Sequence, residues 1–197
     1  LRRWDRRSNT NSVATTVAVL FGEALWTASR TDPEAEGMDL LAFMTTKSQP
    51  AMRLAALDSA VTRLERDFGT WRTPWGEINR FQRLTGDIVQ PFNDSGPSLP
   101  VGFTSSRWGS LAAFGARTWP GTKKLYGTLG NSFVAVVEFG DTLRARAVTA
   151  GGLNSVPGSK HFNDQAMRYT TGDLREVYFH PWQLDGHTER RYRPGER

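Results

Sequence analysis

Apolar residues recur at steps of three and four through the first third of the chain, which is the spacing of one helical face. The first such face comprises Val13, Val17, Leu20, Phe21 and Leu25. Asn11 or Ser12 can cap this helix. The pair Asp32-Pro33 predicts its end, because the residue before a proline disfavours the helical region.

Two further helices are predicted before residue 70. The second covers residues 34–47. The third begins at Pro50, a residue suited to the first turn of a helix, and stops at Gly69. Its apolar stripe comprises Leu54, Leu57, Val61, Leu64 and Phe68. These stripes indicate core packing and nothing more specific.

From Thr70 the pattern changes to an irregular stretch in which residues 72–83 allow one helical turn, and regular strand signals begin near Leu111. The run 133–139 is apolar at nearly every position, which predicts a strand covered on both faces. The run 143–147 alternates apolar and basic residues, and Gly140-Asp141-Thr142 between the two runs predicts a hairpin connection. A last strand is predicted over residues 176–180.

These elements predict an α+β fold in which helices pack on a sheet. The chain has 197 residues and contains no internal repeat or long linker, so we expect a single piece, with 1–69 helical and 70–197 formed by loops and strands. The polar, charged tail 188–197 is expected to lie on the surface.

Composition narrows the function classes. The net charge of +5 permits a nucleic-acid partner. However, the basic residues concentrate at the two ends, at Arg2, Arg3, Arg6, Arg7, Arg190, Arg191, Arg193 and Arg197. Such runs are more typical of solvated tails or contacts between subunits. The seven tryptophans either fill a core or line an apolar pocket, and the core is the commoner use of buried aromatic residues.

The chain has no cysteine, which excludes thiol chemistry, disulfides and cysteine-bound metals. This composition suits either the cytoplasm or an exported bacterial protein. The sequence contains no run of about 18 apolar residues, so no membrane-spanning helix is predicted. The first residue is Leu1 rather than Met, from which we expect a processed polypeptide.

Few residues suggest chemistry of their own. His161, His180 and His187 lack the i, i+4 spacing of helical zinc motifs. Ser159, His161 and Asp164 could form a triad, but no G-x-S-x-G elbow accompanies them. The favoured interpretation is that His161, Asp164 and Gln165 form a hydrogen-bonded cluster that fixes a loop against the sheet.

Two other kinds of site are not indicated. No GxxxxGK[ST] is present, so the glycines of the second half indicate turns and close backbone approaches rather than a phosphate loop; they are Gly127, Gly130, Gly151 and Gly152. The carboxylates of the helical part are spread out and predict no glycosidase-like pair. The sequence therefore assigns no catalytic, cofactor-binding or metal-binding residue to this chain.

Several blocks occur in order along the chain: LRRWD at 1–5, TPWG at 73–76 with Asn79-Arg80, and the segments 130–140, 144–148 and 161–165. Together they resemble the C-terminal half of the large subunit of the penicillin acylase family of N-terminal-nucleophile hydrolases. The residues of these blocks are most similar to those of the acyl-homoserine-lactone acylases and related lipid-amide acylases. The resemblance implies part of a four-layer αββα fold.

The resemblance also implies a mechanism and a set of partners. In that family the nucleophile is a Ser at the new N-terminus of the large subunit, exposed by autoproteolysis, and its own α-amino group is the base. That Ser, the oxyanion-binding Asn and an associated Arg lie upstream of the blocks present here, and the calcium site of some members lies outside the matching blocks. We therefore expect a C-terminal fragment of the large subunit, working with the other chains of a periplasmic or secreted bacterial precursor and needing no cofactor of its own.

Three function classes follow. The first is one part of an amidase that removes acyl chains from acyl-homoserine lactones, with penicillin side chains as the next candidate. The second is a non-catalytic module whose tryptophans hold a lipid or a sugar. The third is a nucleic-acid binder that uses its arginine-rich ends, for which binding would fall steeply with salt.

Overall fold

The computed structural model of the protein describes Leu1 and residues 3–195. Arg2 in the LRRWD block and Arg197 in the basic C-terminal run lie outside the described residues.

The first predicted helix is confirmed. Helix α1 spans Val13–Ser29, and the Ser12 side chain accepts a hydrogen bond from the Thr15 backbone N–H at 3.0 Å. This cap satisfies one of the free N–H groups of the first turn. The helix ends before Asp32-Pro33, as the sequence predicts.

The second prediction, one helix over residues 34–47, is wrong. A 3-10 turn covers Pro33–Ala35, and a separate helix, α2, covers Leu40–Thr46. Gly37 between them has a φ of 76°, a left-handed conformation that interrupts a helix. Asp39 then starts the new helix by accepting from the Ala42 N–H at 2.9 Å.

Helix α3 spans Pro50–Phe68 and ends at Gly69 with a φ of 77°, as predicted. Its buried face agrees with the predicted stripe at Leu64, which is fully buried, and at Leu57 and Phe68, which pack against the core. Leu54 departs from the stripe because it is 67% exposed, whereas the small residues Ala56 and Ala60 are buried.

A first hydrophobic cluster joins these helices to the sheet. It holds Val17, Val19, Leu20, Ala60, Leu64, Trp75, Ile78 and Leu125. Trp75 and Ile78 belong to the short helix α4, Trp75–Ile78, which is the helical turn predicted within 72–83. Leu125 belongs to the sheet, so one layer of helices packs on it.

The first sheet contains β1, Asn79–Phe81; β2, Leu99–Pro100; β3, Phe114–Arg117; and β4, Leu125–Gly130. Its order is β2-β1-β4-β3, with β1 and β4 parallel and the other pairs antiparallel. The sequence predicted strands only from about residue 111. Strands β1 and β2 have three and two residues, too few to produce an alternating pattern.

The second sheet is antiparallel, in the order β5-β6-β7. It contains β5, Phe133–Glu138; β6, Arg144–Thr149; and β7, Arg175–Val177. Glu138 pairs with Arg144, which confirms the predicted hairpin. The last strand begins and ends earlier than predicted, and a 3-10 turn, Pro181–Leu184, follows it.

Strand β5 is not covered on both faces, so that prediction is wrong. Phe133 is 56% exposed, Val136 59% and Val137 44%. The strand lies at the edge of its sheet, since it pairs with β6 alone among the described strands. The apolar run correctly marks a strand, but within the described residues no layer covers this end of it.

A second cluster joins the two sheets. Val101, Phe114 and Val148 pack with Tyr169 of helix α5, Ala166–Thr171. The first sheet supplies Phe114, and the second supplies Val148. The predicted α+β class is confirmed. None of the described helices combines the length and the apolar character that crossing a membrane requires.

The core and surface faces of α3 can be compared by one substitution. Leu64 is fully buried, so Leu64→Ala should lower the free energy of unfolding by about 2–5 kcal/mol through lost burial and a residual cavity. Leu54→Ala in the same helix should change it by less than about 0.5 kcal/mol, because Leu54 is 67% exposed. Urea denaturation of both variants measures the difference, and equal losses would contradict the assigned orientation of α3.

Candidate functional site

A cleft lies where the polypeptide passes from the first sheet to the second. Its volume is about 810 Å³, within the range of small-molecule sites. Residues 127–133 form one side, and the loop 87–92 forms another. Its aromatic lining comprises Phe81, Phe92, Phe114, Trp119, Phe133 and Tyr169.

Gly127 gives the cleft part of its shape. A Cβ atom at this position would lie 2.2 Å from the Phe114 ring, so only glycine lets that ring lie flat across β4. The sequence interpretation of Gly127 as a close backbone approach is therefore confirmed.

Arg83 anchors one wall of the cleft to the segment 151–165. Its guanidinium donates to the carbonyls of Phe162 and Asn154 and lies 4.2 Å from the centre of the Phe162 ring. The Asn163 side chain donates back to the Arg83 carbonyl at 2.9 Å. Because its donors are occupied by backbone carbonyls, Arg83 acts here as a structural residue.

The polar groups of the cleft differ in how well they are paired. The Tyr169 hydroxyl donates to the Asn131 carbonyl at 2.8 Å, and burial raises the pKa of Tyr169 to about 12. This phenol therefore stays protonated at neutral pH. In contrast, Trp119 Nε1 and Thr149 Oγ1 are buried with no hydrogen-bond partner among the described residues, which is costly.

The rim of the cleft carries one basic group over an aromatic ring. The Arg117 guanidinium lies 4.5 Å from the centre of the Trp119 ring. Asp87 also lines the cleft, and its carboxylate accepts from the Thr85 hydroxyl at 3.0 Å. The described lining residues include no histidine and no nucleophile paired with a base. These walls can hold an apolar group of a ligand, but the described lining residues offer no acid–base pair for cleaving a bond in that ligand.

The structure does not support a triad of Ser159, His161 and Asp164. His161 Nδ1 does lie 2.8 Å from Asp164 Oδ2, but Nε2 lies 3.1 Å from a carboxylate oxygen of Glu189. Ser159 Oγ accepts from the His161 backbone N–H instead of facing the ring. With both ring nitrogens held by carboxylates, His161 cannot take a proton from Ser159.

The three histidines make separate contacts. His180 stacks on Trp182 at 4.1 Å, and His187 stacks on Tyr178 at 4.5 Å. Across the described residues, no three His, Asp or Glu side chains converge where a metal ion could be held.

The interpretation of 161–165 as a loop-fixing cluster is confirmed for Gln165 alone, because among the described residues His161 and Asp164 bond each other and not the sheet. Gln165 is 6% exposed, and its side-chain oxygen accepts from the Thr149 N–H at 3.1 Å and from Arg175 Nε at 3.2 Å. These donors belong to β6 and β7, so Gln165 ties the loop to two strands. His161 and Asp164 sit at the exposed side of the same loop.

The block at 73–80 is also structural. Asn79 is fully buried, and its side-chain amide donates to the carbonyls of Val101 and Phe103, both at 2.9 Å. Arg80 donates to the carbonyls of Gly76 and Ser98. A Cβ at Gly76 would lie 2.8 Å from Thr10, so the N-terminal segment passes directly over this block.

Both interpretations of the tryptophans apply, each to different residues. Trp75 is 2% exposed and belongs to the core, whereas Trp119 lines the cleft. The sequence did not identify the cleft, because the loop 87–92 and the segment 127–133 meet only in three dimensions. The aromatic lining residues are separated from Gly127 along the chain, so no local sequence pattern predicts the cleft.

Gly152 is a second position where glycine is required. A Cβ atom there would lie 2.0 Å from the His161 carbonyl oxygen and 2.7 Å from that of Phe162. Gly152→Ala should therefore lower the free energy of unfolding by about 1–3 kcal/mol, because backbone must move. Gly158→Ala is the matched control, since nothing lies within 4 Å of a Cβ at that position. Thermal unfolding measures both, and a harmless Gly152→Ala would contradict the packing of this loop.

Comparison with known families agrees with this geometry. A model of the penicillin amidase family matches residues 1–186, which is nearly the whole chain. The match includes both sheets, the helices that cover the first one, and the loop fixed by Gln165. The chain therefore belongs to the penicillin amidase family, whose members are acylase-type amide hydrolases.

Proposed function

We propose that this chain is the C-terminal part of the large subunit of an acylase, and that it works with the other chains of the same precursor. The family match over residues 1–186 is the observation that carries the proposal. In this proposal the chain contributes sheets and covering helices to a four-layer αββα fold. The catalytic Ser lies on a companion chain.

The proposed reaction is hydrolysis of an N-acyl amide. The Ser hydroxyl of the companion attacks the amide carbonyl, while the α-amino group of the same Ser accepts its proton and passes it to the leaving amine. An acyl ester forms as the C–N bond breaks. Water then cleaves the ester, which releases the carboxylic acid and restores the hydroxyl. Donors on the companion hold the oxyanion.

The proposed substrates are acyl-homoserine lactones first and penicillins second, and the proposed location is the periplasm or outside the cell. The choice of substrates and location follows from the residues of the sequence blocks at 1–5, 130–140 and 161–165. The composition of the cleft supports an enzyme that handles apolar groups.

The exposed edge of the second sheet supports a companion chain. Val136 and Val137 are 59% and 44% exposed, and Phe139 just beyond β5 is 85% exposed. An edge strand with unpaired backbone groups and apolar side chains invites another strand, and proteins normally cover or charge such edges. A companion chain that adds a strand to β5 would pair its free backbone edge, and packing of that chain on the sheet would bury these side chains.

A second candidate function is a binding module without catalysis, which the aromatic cleft favours. The two functions differ in one observable property. A binding module would hold its ligand with the chain alone, whereas the acylase requires a companion.

Reconstitution tests the proposed activity. Release of the acid from an N-acyl homoserine lactone should be undetectable with this chain alone and should appear when the companion chains are added. The matched control is the same companion preparation without this chain, which should be inactive or much less active. Hydrolysis by this chain alone would contradict the assignment of the nucleophile to another chain.

The edge-strand contact can be tested separately. Val136→Asp should weaken assembly with the companion about tenfold or more, because it places a charge in a surface that assembly desolvates. Leu54→Asp is the control, since Leu54 is also exposed but belongs to helix α3 and not to the β5 edge. Analytical ultracentrifugation of the mixed chains measures the association. Unchanged assembly of Val136→Asp would show that β5 is not the contact.

A further inference from the structure

The polar contacts between the segment 178–195 and the preceding chain, among the described residues, converge on one side chain. Within it, Tyr178 bonds His187, and Gln183 bonds the backbone at 179 and 180. Among the described residues, every side-chain hydrogen bond and ion pair that joins this segment to the preceding chain runs through Glu189.

Glu189 meets two basic side chains of the loop 151–165. One carboxylate oxygen lies 3.1 Å from His161 Nε2, and the other forms a close ion pair with Lys160 Nζ. The opposite ring nitrogen of His161, Nδ1, lies 2.8 Å from Asp164 Oδ2. The imidazole is thus clamped between two carboxylates that belong to different segments.

This geometry depends on the protonation state of the ring. Carboxylates only accept hydrogen bonds, so each ring nitrogen must donate to its own carboxylate, and only the imidazolium has an N–H at both positions. A neutral His161 could keep its bond to Asp164 or its bond to Glu189, but not both. Asp164 and Lys160 belong to the loop of His161 itself, whereas Glu189 comes from the outer segment.

We propose that His161, Lys160 and Glu189 form a pH-sensitive latch that holds the C-terminal strap, residues 178–195, on the loop 151–165. At lower pH the imidazolium bridges Asp164 and Glu189, and the strap is held. At higher pH the ring loses one proton and can keep only one of its two bonds. It keeps the bond to Asp164, which belongs to the same loop, and loses the bond to Glu189. Lys160 alone then retains the strap.

The signs of the pKa changes agree with this behaviour. The hydrogen bonds that the His161 ring donates to Asp164 and then to Glu189 raise the pKa of His161. Its contribution to holding the strap is therefore present below its ordinary pKa and is lost as the pH rises through the raised value. Hydrogen bonds from Lys160 and His161 lower the pKa of Glu189, so its contribution is lost only as the pH falls through that lowered value. The latch is therefore closed between these two limits.

The interactions of the latch are individually weak, so a change in pH can open it. The side chains of Lys160 and Glu189 are 69% and 60% exposed, and that of His161 is 43% exposed. Pairs in such surroundings contribute little individually. Losing one of the two pairs should therefore raise the open fraction by about three- to tenfold, without unfolding the sheets.

Limited proteolysis tests the latch on the full chain as purified. Trypsin can cut after Arg190 and after Arg191, next to the latch, and mass spectrometry reports the released tail. Each rate is divided by that of a free peptide of sequence 186–195 at the same pH, which removes the pH dependence of trypsin. The relative rate should rise about three- to tenfold as the pH passes through the raised pKa of His161.

Variants separate the latch from general loosening. Glu189→Gln should give the fast rate at every pH, and His161→Gln should abolish the pH dependence. Glu65→Gln, an exposed carboxylate on α3, is the matched control and should behave as the parent protein. A pH dependence that survives in His161→Gln, or a Glu189→Gln rate equal to that of the parent at low pH, would overturn the proposal. The result does not depend on acylase activity, so it stands apart from the proposed function.

Discussion

The packing of aromatic rings around Tyr169 holds the two sheets together, and the cleft depends on it. The ring centre of Tyr169 lies 6.0 Å from those of Phe81 and Phe103 and 6.4 Å from that of Phe114. These distances suit edge-to-face and tilted contacts, which add to the burial of the rings. Because Tyr169 also donates to the Asn131 carbonyl, the same side chain fixes the segment that crosses between the sheets. The cleft is the space left beside this contact.

Around that contact the chain uses its polar side chains chiefly to hold backbone. Asn79 and Arg80 bond carbonyls, Arg83 bonds two more, and Gln165 bonds an N–H of β6. Most buried polar groups in proteins have such partners, and a loop-rich second half contains many of these groups. The residues that carry the family resemblance are therefore architectural in this chain. That role is consistent with a reaction carried out by a group on another chain.

The sequence predicted the parts of the fold that are set by local rules. Helices α1 and α3 have long periodic stripes with clear ends, and the β5–β6 hairpin has a turn of suitable residues. The helix over 34–47 failed because Gly37 adopts a left-handed conformation that the apolar pattern does not reveal. Strands β1 and β2 were missed because they are set by contacts with β4 and with each other, not by their own two or three residues.

The failed prediction for residues 133–139 is the most informative one, because the apolar pattern and the observed strand each have a physical explanation. A run that is apolar on both faces belongs in a covered strand, and β5 adopts the strand. Only the cover is missing from the described residues, since Val136 and Phe139 remain 59% and 85% exposed. A chain that left such an edge in water would invite uncontrolled strand pairing. The conflict is resolved if the sequence of β5 is suited to an assembly in which a neighbouring polypeptide supplies the next strand.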